Sequence, residues 1–139
     1  MFIGKYYHKL EAKGRLSLPK KFRDQASDWV ITRGLDGCLF IFTTVDLKDQ
    51  IRDLTSRTLT KKAHRDLARI MANEATVIKP DNNGRVQLPE YLIKFAQLNK
   101  EIVVVGSYNR LEIWNQQRYH QYVDQLEKQA EAIAETIHE

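Results

Sequence analysis

Several kinds of residue are scarce in this 139-residue sequence, and each shortage excludes a class of protein. The only cysteine is Cys38, so no disulfide can form within the chain, and we expect this residue to fill core space in a reducing cytoplasm. No apolar run approaches the roughly 20 residues that a membrane helix needs, and the first residues lack the pattern of a signal peptide. We therefore predict a globular protein with no membrane partner.

The sequence also lacks the patterns of catalytic and metal sites. Ser17 does not stand in a nucleophile elbow, and no glycine-rich phosphate loop is present. The histidines are scattered and have no metal-ligand spacing with Cys38 or a carboxylate cluster; they are His8, His64, His120 and His138. We expect His8 to be a packed side chain. The protein is thus predicted not to be an enzyme and to need neither metal nor cofactor.

Positive charge is concentrated in two segments, although the net charge is only +4. Residues 1–23 hold seven lysines and arginines against one acid, and residues 57–69 hold five against one. Residues 116–139 instead hold two bases against five acids. This asymmetry suggests that a polyanion binds one side of the molecule.

A short motif occurs twice, as "EAKGRLSLP" at 11–19 and "DNNGRVQLP" at 81–89. With two residues of slack, "RGLDGCLFIF" (33–42) then aligns with "VGSYNRLEIW" (105–114). Two copies are too few for a solenoid, which needs about three repeats to be stable. We therefore predict that the copies pair with each other around one shared core.

Each copy has the same predicted order of elements. An alternating strand leads into the turn, a second strand follows, and Pro19 or Pro89 then opens a short helix. Two more strands follow, joined by hairpin turns at "GLDG" and "GSYN", and a helix comes after each copy. The predicted fold is α+β, with two tandem β-α-β-β repeats and bracing helices. The predicted units are 1–56, a basic linker helix at 57–75, and 76–139, all in one compact body.

The repeated turn carries an acid and an arginine at matching places. If residues 12–14 form a three-residue hairpin loop, Gly14 supplies the left-handed position, and Glu11 and Arg15 flank the loop. Asp81 and Arg85 occupy the same places in the second copy. Facing opposite charges stabilise such a ladder by about 0.2–1 kcal/mol, so each pair is a predicted hairpin clip and could be structural only.

Lysines around the first turn favour a role in nucleic-acid binding. A cationic two-stranded ribbon fits the major groove of DNA, where arginine can bind a guanine edge and lysines can bind phosphates. We expect Arg15 to make the main base contact and the second copy to contribute less. The predicted DNA-binding residues are Lys5, Lys9, Lys13, Arg15, Lys20, Lys21, Lys79, Asn83 and Arg85.

Four segments taken in order closely resemble the MraZ family of bacterial transcriptional regulators: "MFIGKYYHKLEAKGRLSLPKKFR", "GLDGCLFIF", "DNNGRVQLP" and "LEIW". The resemblance covers Met1 to about Trp114 and implies an AbrB-like, swapped-hairpin β-barrel. It also implies a cytoplasmic, nucleoid-associated repressor of the division and cell-wall gene cluster. The partners it implies are guanine-rich direct repeats of double-stranded DNA and further copies of the chain in a ring. Glu11 departs from the family pattern, which usually has Asp there.

Two other functions fit parts of the sequence. The basic face could dock an acidic partner protein, in which case the chain would be an oligomeric scaffold. The resemblance to AbrB-like proteins also leaves an antitoxin open. An antitoxin usually holds its toxin with a flexible tail, whereas the tail after Asn115 here shows a helical pattern.

Overall fold

The computed structural model describes residues 1–57 and 60–137, which form eight strands and five α-helices. The strands are β1 (Phe2–Lys9), β2 (Arg15–Ser17), β3 (Trp29–Arg33), β4 (Leu39–Thr43), β5 (Thr76–Ile78), β6 (Arg85–Gln87), β7 (Glu101–Tyr108) and β8 (Leu111–Asn115). The helices are α1 (Lys20–Arg23), α2 (Thr44–Arg57), α3 (Lys62–Asn73), α4 (Glu90–Phe95) and α5 (Gln116–Ile137). The predicted units 57–75 and 76–139 lie partly outside the described residues, as does His138.

The mixed α+β prediction is confirmed, and the two tandem copies have the same order of elements. Copy one runs through β1, β2, α1, β3 and β4, and copy two through β5, β6, α4, β7 and β8. Pro19 and Pro89 immediately precede α1 and α4 with extended backbone, as expected of proline at a helix start. No helix in the described part of the chain is both long and apolar enough to cross a membrane.

Each copy contributes its first strand to the other copy. The large sheet has the order β1-β7-β8-β4-β3-β5, and β2 pairs with β6 in a separate two-stranded ribbon. Antiparallel pairing of β1 with β7 runs from Phe2 opposite Tyr108 to Lys9 opposite Glu101. In return, β5 pairs with β3, with Ile78 opposite Trp29. The two copies are therefore interleaved.

Apolar residues on both faces of the large sheet are buried because its central strands alternate between two cores. Ile102 and Val104 of β7 face the first core, together with Leu16 of β2 and Val86 of β6. Val103 faces the second core. The ribbon β2–β6 therefore packs on one side of the sheet, and this packing fixes its position.

Three helices cover the second core, which includes the buried Cys38. Leu47 of α2, Leu67 of α3 and Tyr119 of α5 pack against it. Trp114 contacts the rings of Tyr119, edge to face, and Tyr122, at a tilt, in the first part of α5. This arrangement agrees with the prediction that helices following each copy brace the sheet, but it holds only for the first part of α5.

The second hairpin turn is displaced from the prediction. Strand β7 continues through "GSYN" as far as Tyr108, which has a left-handed φ of 71°. The turn is closed by the Ser107 amide, which donates to the carbonyl of Arg110 at 2.9 Å. Ser107 and Tyr108 stay in the strand because Ile3 and Phe2 pair with them from the other copy.

Candidate nucleic-acid interface

The antiparallel ribbon β2–β6 connects the two repeated turns. Its register places Arg15 opposite Gln87 and Ser17 opposite Arg85. Beyond these pairs, the Leu18 amide donates to the carbonyl of Gly84 at 3.1 Å, and the Leu88 amide donates to that of Gly14 at 2.9 Å. Since each strand is three residues long, the turns lie at opposite ends of a ribbon of about 10 Å.

The first turn is a three-residue loop flanked by Glu11 and Arg15. The Glu11 amide donates to the Arg15 carbonyl at 2.8 Å, and the Gly14 amide donates to the Glu11 carbonyl at 3.2 Å. Gly14 is left-handed, with a φ of 71°, and so is Lys13, with a φ of 65°. Glycine adopts this backbone without steric cost, whereas lysine seldom does.

The ion pair at these turns crosses between the copies. The guanidinium of Arg85 holds Glu11 in a two-point contact, with Nε 2.5 Å from Oε2 and Nη2 3.1 Å from Oε1. The expected pairing of Glu11 with Arg15 is therefore corrected: these residues are paired through the backbone, while the acid binds the arginine of copy two. The hydrogen bond from Arg85 lowers the pKa of the Glu11 carboxyl and raises that of the guanidinium.

Asp81 does not form the matching ion pair with Arg15. Its Oδ1 accepts the amides of Asn83 at 2.8 Å and Arg85 at 3.0 Å, so the carboxylate closes its own turn. These backbone hydrogen bonds lower the pKa of Asp81. Arg15 is exposed, and no carboxylate among residues 1–57 and 60–137 lies within 4.0 Å of its guanidinium. The two arginines thus differ: Arg85 is held by Glu11, whereas Arg15 has no ion-pair partner among the described residues.

The lysines predicted on copy one spread along β1. Lys13 lies in the first turn, and Lys9 lies at the end of β1, two residues before Glu11. Both are exposed and near the end of the ribbon that carries Arg15. Lys5 lies four residues further back, about 13 Å along the strand. Lys5 lies opposite Val105. Burial raises the pKa of the Tyr119 hydroxyl, and the nearby positive charge of Lys5 partly offsets that rise.

The lysines of α1 lie beside the second turn. The helix begins after Leu18, which binds Gly84, and its Arg23 packs against that glycine. Pairing of β2 with β6 therefore places α1, which carries Lys20 and Lys21, beside the turn of copy two. Lys20 binds Asp24 at 3.0 Å, and Lys21 is exposed.

Copy two contributes three of the predicted DNA-binding residues. Asn83 is exposed in the second turn, and its amide binds Asp81. Lys79 is exposed immediately after β5. Arg85 is half-buried by its pairing with Glu11. The second turn consequently has more positive charge around it than its own sequence suggests, since α1 is added from copy one.

Three residues that position the turns were missed in the sequence. Gln87 donates through Nε2 to the carbonyl of Lys13. Arg23 packs over Gly84, and its Nε donates to the Leu18 carbonyl at 2.9 Å. Ile93 packs over Gly14. Arg23 and Ile93 are 70 residues apart, so the repeat itself was the signal that could have identified this pair.

The described residues contain no cluster of possible metal ligands. No group of three or more His, Cys, Asp or Glu side chains within them could hold a metal ion. Cys38 is fully buried, and burial raises the pKa of its thiol, so it is a poor nucleophile. Burial also lowers the pKa of His8, which favours the neutral, packed imidazole. The exposed Arg15 lies at the end of the β-ribbon, near the exposed Lys9 and Lys13.

Comparison with known proteins identifies the family. The model of a family described as "MraZ protein, putative antitoxin-like" matches the chain twice, over residues 1–70 and 71–138. The chain belongs to the MraZ family, and the two matches coincide with its two copies.

Curated relatives cover almost the whole chain. Each of the following is named "Transcriptional regulator MraZ". The protein of Halothermothrix orenii is 39% identical over 135 residues, which are 96% of this chain and 94% of the relative. That of Ligilactobacillus salivarius is 42% identical over 138 residues, which are 99% of this chain and 96% of the relative. That of Cutibacterium acnes is 43% identical over 136 residues, which are 97% of this chain and 94% of the relative.

Proposed function

We propose that this protein is a sequence-specific DNA-binding transcriptional regulator. It binds guanine-rich direct repeats in a promoter as a ring of identical subunits, and it represses the division and cell-wall gene cluster from the cytoplasm, at the nucleoid. The observation that carries the proposal is the exposed guanidinium of Arg15 at the end of the basic ribbon, which has no ion-pair partner within residues 1–57 and 60–137. The curated relatives support it, because their name is that of a regulator and not of an enzyme.

The interleaved strands support an AbrB-like, swapped-hairpin barrel as the scaffold. In such a barrel the ribbon β2–β6 closes one side of the barrel, and the turns at 12–14 and 82–84 protrude from the same subunit. The exchange of β1 and β5 between the copies is consistent with this architecture. A scaffold of this kind holds the turns rigidly, so little conformational entropy is lost when DNA binds.

Base recognition is assigned to Arg15. A guanidinium can donate two parallel hydrogen bonds to O6 and N7 of guanine, which distinguishes guanine from the other bases in the major groove. Lys9 and Lys13 lie close enough to bind the flanking phosphates and fix the register of the ribbon. The contact between Glu11 and Arg85 holds the first turn against copy two, so Arg85 is a positioning residue and a secondary contact.

The second turn adds backbone contacts. Lys21, Lys79 and Asn83 are exposed around it, and all three can donate to phosphate. Since neither turn alone offers a large surface, several subunits are needed for high affinity. A ring on direct repeats achieves this, because the first contact raises the effective concentration of the next.

Selection of bound DNA from a random pool, at fixed salt, tests the proposed function. We expect enrichment of repeated guanine-containing sites by the unaltered chain and loss of that enrichment with Arg15→Ala. A matched selection with Lys128→Ala, which removes a cation far along α5, should leave the enriched sequences unchanged. If no sequence is enriched over the starting pool, the regulator proposal is wrong and docking of an acidic protein becomes the better explanation.

One structural observation disfavours the antitoxin alternative. The segment that would hold a toxin as a flexible tail is a continuous helix, α5, from Gln116 to Ile137. Resistance of residues 116–137 to limited proteolysis in the isolated protein would weigh further against that alternative.

A further inference from the structure

The two turns of the ribbon are closed by different side chains. In the second turn Asp81 closes its own loop, because its Oδ1 accepts the amides of Asn83 and Arg85 at 2.8 and 3.0 Å. Aspartate suits this role, since its short side chain reaches the backbone two residues on. Glu11 occupies the equivalent place in the first turn, but both oxygens of its carboxylate bind Arg85, at 2.5 and 3.1 Å. The first turn is therefore not closed by its own acid.

The first turn also has the more strained backbone. Lys13 and Gly14 are both left-handed, with φ of 65° and 71°. Of residues 82–84 in the second turn, only Gly84 is left-handed, with a φ of 79°. Since a lysine seldom adopts this conformation, the surrounding structure has to hold it in place. The first turn thus needs an anchor more than the second turn does.

Gln87 of copy two supplies such an anchor. Its Nε2 donates to the carbonyl of Lys13 and lies 3.3 Å from the place that a β-carbon on Gly14 would take. The Leu88 amide donates to the Gly14 carbonyl, so the next pair along the ribbon, Gln87 and Arg15, is a non-hydrogen-bonded pair. Side chains lie closest in such pairs. The carboxamide of Gln87 is therefore held between the first turn and Arg15.

The second turn has a different residue at the matching place. A shift of 70 residues brings Gln87 onto Ser17, which lies opposite Arg85 in the ribbon. Serine has a short hydroxyl side chain in place of the long carboxamide. Because Asp81 already closes the second turn, a long donor is not needed there. Ser17 is thus a matched control position on the same ribbon.

We propose that Gln87 is a positioning residue for base recognition by Arg15. Its carboxamide anchors the Lys13 carbonyl and so replaces the closure that Glu11 gives up when it binds Arg85. Arg15 follows this turn directly, so the anchor fixes the direction in which its side chain leaves the ribbon. The inference rests on the proposed role of Arg15 in DNA binding and adds the residue that sets its geometry.

Amide hydrogen exchange, measured by NMR on the full chain without DNA, tests the anchor. Gln87→Ala should make the Gly14 and Leu88 amides exchange several-fold faster, because they donate to carbonyls of the first turn. The Gly84 amide, which donates to the Asp81 carbonyl, should not change. Ser17→Ala should change none of the three. Gln87 is exposed, and circular dichroism verifies that the variants fold.

The ratio of dissociation constants for selected and random DNA, at one salt concentration, tests the role in recognition. Gln87→Ala should reduce the preference by about threefold, a part of the roughly tenfold worth of a two-point contact with guanine. Binding to random DNA should not change, because the charge is the same. In the Gln87→Ala background, Glu11→Asp should restore the preference, since an aspartate there closes its own turn as Asp81 does. Ser17→Ala should keep the preference.

Three results overturn the inference: unchanged exchange in Gln87→Ala, an unchanged preference, or no recovery with Glu11→Asp. A changed base at one position of the DNA selected by Gln87→Ala also overturns it, because Gln87 would then contact that base directly. If the unaltered chain itself prefers no sequence, the proposed function is wrong, whereas the exchange measurement still decides whether Gln87 anchors the turn.

Discussion

Substitution of Gly84 by alanine tests a contact that joins the two copies. Gly84 has a φ of +79°, and a methyl group there would lie 2.3 Å from Cζ of Arg23. Arg23 belongs to copy one and Gly84 to copy two. The guanidinium cannot move away freely, because its Nε donates to the Leu18 carbonyl at 2.9 Å. Alanine therefore strains the backbone and also displaces a side chain that fastens α1 to the ribbon.

These two effects have separable magnitudes. An L-residue in left-handed backbone costs about 1–2 kcal/mol relative to glycine. Loss of the hydrogen bond from Arg23 costs about 1 kcal/mol more. The sum is a loss of about 2–3 kcal/mol in the free energy of unfolding, reduced by less than about 1 kcal/mol because alanine restricts the unfolded chain.

A double-mutant cycle isolates the part that is due to Arg23. Urea denaturation gives the free energy of unfolding for Gly84→Ala, Arg23→Ala, the double variant and the unaltered chain. In the Arg23→Ala background, Gly84→Ala should cost only the backbone strain, about 1–2 kcal/mol. A coupling of about 1 kcal/mol is expected. Additivity within about 0.3 kcal/mol would refute the reasoning, because it would mean that Arg23 does not pack on Gly84.

Two further predictions concern the titratable groups. Cys38 should not react with a thiol reagent such as DTNB in native buffer, and should react fully in urea, since burial raises the pKa of its thiol; rapid native labelling would contradict the buried position. The ion pair with Arg85 depresses the pKa of Glu11 below its ordinary value of 4.5, so its contribution to stability is present above that pH and is lost as the pH falls through the folded-state pKa. Urea midpoints measured between about pH 6 and pH 3 should therefore fall less steeply for Glu11→Gln than for the unaltered chain, and parallel curves would contradict the ion pair.

Local features of the chain were predictable from sequence because they depend on few residues. Gly14 and Gly84 mark left-handed turns, and Pro19 and Pro89 mark helix starts, whatever the rest of the chain does. The short, continuous apolar runs of β3, β4 and β7 are likewise a property of each strand. The repeat predicted that the copies share a core, and the first core contains buried residues of both copies.

Pairing between the copies was not predictable from the same patterns. Since the copies have equivalent strands, the backbone of β1 could form hydrogen bonds with a strand of either copy. The apolar periodicity of β1 would be the same in both cases. The partner of Glu11 could not be identified for the same reason: Arg15 and Arg85 occupy equivalent places, and only the ribbon register brings Arg85 to the carboxylate. The position of α1 beside the second turn follows from that exchange as well.

The proposed DNA recognition depends chiefly on the exposed guanidinium of Arg15. Arg85, which is paired with Glu11, provides the control. A two-point contact with guanine is worth about 1–3 kcal/mol of discrimination, and each 1.4 kcal/mol corresponds to a tenfold change in affinity. Arg15→Lys keeps the charge but lacks the planar, pre-organised fork that donates two parallel hydrogen bonds. Arg85→Lys makes the same change at the arginine that Glu11 holds.

The most direct measurement is the ratio of dissociation constants for the selected DNA and a random duplex, at one salt concentration. We predict that Arg15→Lys reduces the preference for selected over random DNA by about tenfold, with nearly unchanged binding to the random duplex. Arg85→Lys should reduce that preference less. An unchanged preference in Arg15→Lys, or a larger loss in Arg85→Lys, would contradict the assignment of base recognition to Arg15.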